Sequence, residues 1–209
     1  MPHIIVFGAS VTYGAWDVEG GWVARLRKYL DKKVIIDAHK RPKDFYLLYN
    51  LGVSGDTSAN ILKRLDHETT ARINHQTKTI FILSFGLNDC IIENKRYLVK
   101  QSMWQQNITT IIRTAKKYSK KVILIGLTKI NELETNPLSW DGNKFLKNRD
   151  ITKYNSLLKS ECKKEKILFI EIIDEINAKV LRDGLHPNSK GHEKIFEVVK
   201  EHLIKNKII

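Results

Sequence analysis

The chain has 209 residues, of which 42% are hydrophobic and 28% charged, a length and balance that fit a single soluble globular domain over residues 1–209. No stretch approaches the ~20 apolar residues of a membrane helix, so no membrane span is expected. The formal charge is +13, but Lys and Arg are scattered in pairs such as Lys32-Lys33, Lys116-Lys117, Lys120-Lys121 and Lys163-Lys164. With no basic tail and no aromatic-interleaved signature, no nucleic-acid partner is expected.

In chain order, Met1-Pro2-His3 leads straight into Ile4-Ile5-Val6-Phe7. There is no basic leader or long apolar segment ahead of it, so the expected location is cytoplasmic. Residues 3–8 read as a buried strand ending at Gly8. Residues 21–31 read as a helix, with Trp22, Leu26 and Leu30 on one face. Residues 33–37 and 45–51 are apolar runs that form one interrupted strand or two. Asp56 is expected to cap a helix through about residue 65, whose inner face holds Ile61, Leu62 and Leu65. Residues 79–85 form the clearest strand, ending at Gly86. A helix follows over 99–118, then a strand over 121–126. Residues 128–144, with Pro137, Trp140 and Gly142, read as an irregular loop. A helix over 145–164, a strand over 167–170 and a helix over 189–204 complete the chain.

Strand–helix alternation with continuously apolar strands predicts an α/β fold. A parallel sheet of about five strands is covered on both faces, giving a three-layer α/β/α sandwich. In such sheets ligands sit beyond the carboxyl ends of the strands. Ser10, Gly55 and Asn88 each follow a predicted strand or its outgoing connection, so they are expected at one edge.

Those positions, together with Asp183 and His186, carry the parts of an acyl-transfer site. A serine hydroxyl needs a base within hydrogen-bond reach, and the base needs a third group to fix its tautomer. Ser10 at a strand-to-helix turn is the candidate nucleophile, His186 the general base and Asp183 its orienting carboxylate. Gly184 permits the bend between the last two. The Ser10 and Gly55 N–H groups and the Asn88 amide are candidate donors to the oxyanion, with Gly52 a weaker choice. Read singly, Ser54-Gly55-Asp56, Leu87-Asn88-Asp89 and Asp183-Gly184 are each ordinary turns. Of the other six histidines, none has a comparable setting; His192 and His202 read as lying on the polar side of the last helix. Cys90 and Cys162 are far apart, show no metal-ligand spacing and read as reduced thiols.

Four segments, Gly8-Ala9-Ser10, Ser54-Gly55-Asp56, Gly86-Leu87-Asn88-Asp89 and Asp183-Gly184-Leu185-His186-Pro187, resemble the four blocks of the SGNH hydrolase superfamily, also called the GDSL esterase/lipase family. The similarity spans nearly the whole chain. It implies a flavodoxin-like fold, hydrolysis of esters or thioesters, Ser10, Asp183 and His186 as the triad, and Ser10, Gly55 and Asn88 as the oxyanion hole. The family usually has Asp before the serine, where this chain has Ala9; that Asp organises loops, so its absence bears on loop order.

Trp22 reads as core packing, whereas Trp16 and Trp140 are candidate walls of a substrate pocket. The chain is too short for a large lid, so an open site for small or short-chain esters is expected, including acetyl esters and thioesters. Neither metal nor cofactor is expected. The alternative is a catalytically silent module of the same fold that binds carbohydrate or acyl ligands.

Overall fold

A computed structural model describes residues 1–36, 41, 44–73 and 78–209. The apolar run at the start forms strand β1 (His3–Gly8), with all six residues buried. There follow α1 (Ser10–Tyr13), α2 (Gly21–Ile35), β2 (Leu47–Gly52), α3 (Ser58–Thr70) and β3 (Thr79–Ser84). Next come β4 (Ile92–Glu93), β5 (Arg96–Tyr97), α4 (Gln101–Tyr118), β6 (Lys121–Ile125) and α5 (Glu132–Thr135). The chain finishes with β7 (Lys144–Phe145), α6 (Asn148–Lys164), β8 (Leu168–Ile170) and α7 (Ser189–Lys205).

Five strands form one parallel sheet in the order β2-β1-β3-β6-β8. Alternation along each strand assigns its residues to the two faces. Ile5, Phe7, Phe81, Leu83 and Leu124 pack with Ile61 and Leu65 of α3, Trp104 and Ile111 of α4, and Tyr154 and Leu158 of α6. Ile4, Val6, Ile80, Ile82 and Ile123 pack with Trp22 and Leu26 of α2 and Ile195 and Val199 of α7. The result is the expected three-layer α/β sandwich. Among the described residues no helix is long and apolar enough to cross a membrane.

Strand register brings three connections to one level. Gly8 pairs with Gly52 on one side and Ser84 on the other, so β1, β2 and β3 end flush. The segments leaving them start from one edge. Gly8 itself is demanded by close approach: a Cβ there would lie 1.9 Å from Thr12 Oγ1, and that hydroxyl is held by the Ser84 carbonyl at 3.0 Å.

Several expectations on element boundaries are corrected. Residues 33–36 are not a strand: α2 runs to Ile35, because half-buried Val34 continues the stripe of Trp22, Leu26 and Leu30 while Ile35 and Ile36 are exposed. Residue 37 lies outside the described residues. The second strand is therefore β2 alone. The next helix is capped by Thr57 rather than Asp56 and reaches Thr70; the Asp56 carboxylate is drawn away to Arg64 Nε at 2.8 Å. The 128–144 segment is more ordered than a loop: it holds α5 and leads into β7, which joins β5 and β4 in a small antiparallel sheet of order β5-β4-β7.

Candidate active site

Ser10 is the first residue of α1, immediately past the end of β1, and only 9% exposed. His186 lies on the segment between β8 and α7. Its Nε2 is 2.8 Å from Ser10 Oγ across 176 residues of sequence, and its Nδ1 is 2.8 Å from Asp183 Oδ2. The Asp183 carboxylate is held from all sides. Oδ1 accepts from the backbone N–H groups of Leu185 (3.1 Å) and His186 (2.8 Å). Oδ2 accepts from the imidazole and from the Trp16 indole N–H at 2.8 Å. Burial alone would raise its pKa, but the side-chain and backbone hydrogen bonds from His186, with that from Leu185, outweigh it and hold the group at about 2. Asp183 is thus an anion at neutral pH, facing an imidazole whose other nitrogen reaches a serine hydroxyl. Such a chain can move a proton off Oγ.

Gly55 occupies the third position of a turn closed by Asp56 N–H donating to the Val53 carbonyl at 3.1 Å. Its φ of +85° is the left-handed conformation that this position demands and glycine supplies. Asn88 opens a single 3-10 turn, Asn88–Cys90. One of its amide hydrogens goes to the Asp56 carbonyl at 2.9 Å, which ties Asn88 to the Gly55 turn and leaves the second hydrogen for another acceptor. Ser10, Gly55, Asn88 and His186 all line one cavity of about 350 Å³. Trp16 and Trp140 line it too, both more than half exposed. The Trp140 ring leans on His186 with centroids 5.5 Å apart.

The supports under these residues are largely invisible in sequence. The loop bearing Trp16, at φ 63°, is anchored by Asp17, whose carboxylate accepts from Gly21 N–H at 3.0 Å and pairs with Arg25. Arg25 in turn reaches Ser189 Oγ of α7 at 2.9 Å. Burial works against the Asp17 charge, yet Arg25, Ser189 and Glu19 N–H bring its pKa to about 2. His192 is a correction. Rather than on the polar side of α7, it is fully buried, with Nε2 3.0 Å from the Ala15 carbonyl. Burial lowers its pKa, against the pull of Ala15, so it serves as a neutral strut under the Trp16 loop.

A second support holds Asn88. Its neighbour Asp89 is completely buried, and both carboxylate oxygens accept from Ser58 N–H at the start of α3, at 2.9 and 3.0 Å. Ser58 Oγ donates to Oδ1 at 2.5 Å and receives Asn107 Nδ2 at 2.9 Å. Burial raises the Asp89 pKa to about 7 despite the Ser58 hydrogen bonds. A third support is Arg64, paired with Asp56 and donating from Nη2 to the carbonyls of Gly8 (3.2 Å) and Leu51 (2.7 Å). It laces together the ends of β1 and β2 and the Gly55 turn, beside the position where Ala9 stands. Among the described residues, no group of three or more His, Cys, Asp or Glu side chains could hold a metal ion.

The model of the GDSL-like lipase/acylhydrolase family matches residues 6–194. Comparison with curated proteins gives no match. Among solved structures, the lipase/acylhydrolase from Enterococcus faecalis is 21% identical with a TM-score of 0.71, covering 97% of this chain and 95% of that one. A variant of an acetyl xylan esterase from Geobacillus stearothermophilus is 17% identical with a TM-score of 0.72, covering 97% and 94%. A member of the lipolytic G-D-S-L family from Veillonella parvula is 19% identical with a TM-score of 0.70, covering 96% and 97%. Catalytic mutants of the Geobacillus enzyme at a serine, an aspartate and a histidine also match. At these identities the likeness is one of fold.

Proposed function

The chain belongs to the GDSL-like lipase/acylhydrolase family of carboxylic ester hydrolases, and on that premise we propose that it is a serine esterase acting through an acyl-enzyme. The observation that carries this reading is the unbroken chain Ser10 Oγ–His186–Asp183, with both links at 2.8 Å. That catalytic mutants of the acetylxylan esterase concern the same three residue types adds support.

In the first step Ser10 Oγ attacks the ester carbonyl carbon while His186 Nε2 takes its proton. Asp183 steadies the resulting imidazolium. The carbonyl oxygen becomes an anion, received by the N–H groups of Ser10 and Gly55 and the free amide hydrogen of Asn88. Collapse of this intermediate breaks the bond to the alcohol oxygen, which takes the proton from His186. Water, deprotonated by the same imidazole, then attacks the acyl-enzyme, and the carboxylic acid leaves as Ser10 regains its hydrogen. Donors prepositioned for the oxyanion supply much of the acceleration, each worth about 10²–10³ in turnover.

The test is hydrolysis of p-nitrophenyl acetate together with covalent labelling by a fluorophosphonate. Ser10→Ala and His186→Ala should each lower kcat by roughly 10⁴-fold or more with circular dichroism unchanged, and Ser10→Ala should abolish labelling. Unaltered turnover in both variants would remove the proposed machinery. The silent-module alternative rests on Ala9; a wild-type chain that folds but takes no label would favour it.

A further inference from the structure

Two spaces of very different size meet at Ser10, and together they specify which half of an ester goes where. The cavity of about 350 Å³ is lined by His186, Gly55, Trp16 and Trp140. Adjoining it is a slot of about 30 Å³ between the carboxyl ends of β1, β3 and β6, walled by Ala9, Phe85, Gly86, Leu127 and Ile172. Ser10 and Asn88 line both spaces; His186 lines only the larger. Resting on the esterase reading, this asymmetry orients the substrate. A leaving alcohol must bring its oxygen within hydrogen-bond reach of His186 Nε2 to be protonated, so the alcohol occupies the large cavity. The acyl substituent, on the other side of the carbonyl carbon, is directed to the slot.

We propose that this slot restricts the enzyme to esters of two- or three-carbon acids, acetyl and propionyl, while a bulky alcohol is accepted opposite. At about 30 Å³ the slot is less than a tenth of the 350 Å³ cavity beside it, so a methyl or an ethyl fits it better than any longer chain. The walls do not yield easily. A Cβ on Gly86 would lie 2.4 Å from the Trp104 ring and 3.0 Å from Leu127, so the backbone there is already pressed against Trp104, which is fully buried. Leu127 and Ile172 are each 3% exposed and fixed in the two core layers. Thr128, 2% exposed, also lines the slot.

Two ester series test this, read as kcat/KM. Across p-nitrophenyl acetate, propionate, butyrate and hexanoate, the rate should drop roughly tenfold or more between propionate and butyrate and further at hexanoate. Across phenyl, naphthyl and larger aryl acetates it should change by only about threefold, below the discrimination of one misfitting methylene. Ile172→Ala and Leu127→Ala should each raise the butyrate-to-acetate ratio by about tenfold. Butyrate and hexanoate turned over as fast as acetate by the unaltered protein would overturn the proposal, as would folded variants with an unchanged ratio. Either result would leave the esterase reading standing. Failure to hydrolyse any ester of either series would instead sink that reading and this one with it.

Discussion

Asp183 accepts four hydrogen bonds on two oxygens, and all four come from residues that also line the cavity, Trp16, Leu185 and His186. The Trp16 indole N–H shares Oδ2 with His186 Nδ1, so it fixes the rotation of the carboxylate that fixes the imidazole. Trp16→Phe keeps an aromatic ring and removes the N–H. We expect kcat to fall by roughly tenfold, the worth of one hydrogen bond to a charged group, with KM little changed; Trp16→Ala should raise KM as well. Steady-state kinetics on p-nitrophenyl acetate separates the two. Asp17, with its side chain fully buried and paired to Arg25, makes a stability prediction. Its pKa lies below the ordinary 3.8, at about 2. A depressed carboxylate favours the folded state at pH above about 4, and that contribution is lost as pH falls through about 2. Asp17→Asn should therefore cost about 2 kcal/mol at neutral pH and flatten the acid limb of a urea-stability profile between pH 4 and pH 2.

At the level of elements, the site is a meeting of segments that leave β1, β2 and β3 at the same height. The start of α3 anchors one of them. Its first N–H groups are unsatisfied within the helix, and Ser58 directs its own onto the buried Asp89 carboxylate, where the helix dipole also favours negative charge. Burial nevertheless raises Asp89 to about 7. A carboxylate raised in the folded state contributes stability that is complete below pH 4 and is lost as pH rises through about 7. The opposing windows of Asp89 and Asp17 place the best stability in the mildly acid range. Asp89→Asn sets an amide NH₂ against the Ser58 N–H and should lower Tm at pH 5. It should also remove most of the decline in Tm that the unaltered protein shows from pH 5 to pH 8, as differential scanning calorimetry can measure.

For the molecule as a whole, the core layer on one face of the sheet, beneath α3, α4 and α6, buries Cys90 and Cys162 completely. Burial, with Asp89 and Asp150 nearby, pushes the Cys90 thiol well up, and burial beside Glu161 takes Cys162 to about 12. Both are then poor nucleophiles and out of reach. A thiol reagent should leave the native protein unlabelled and active, and both cysteines should become reactive together at the urea concentration where circular dichroism is lost. Labelling of one well before the other would divide residues 1–209 into more than one cooperative unit.

The periodicity of apolar residues was enough for the α/β class, a parallel sheet of about five strands and the long helices between them, because burial on a strand or a helix face repeats over a few residues and is written locally. Residue type and order likewise pointed to Ser10, Gly55, Asn88, Asp183 and His186. Mistakes arose where local pattern is ambiguous: apolar Val34, Ile35 and Ile36 at a helix end imitate a strand, and His192 on an otherwise amphipathic helix gave no hint that Ala15 lies against it. Only the packed molecule decided that Trp16 touches Asp183, that Arg25 bridges to Ser189, that Arg64 laces two strand ends, and that a narrow slot and a wide cavity flank one serine. These contacts join groups far apart along the chain, and their distances follow from sheet order and register, which no short stretch of sequence encodes.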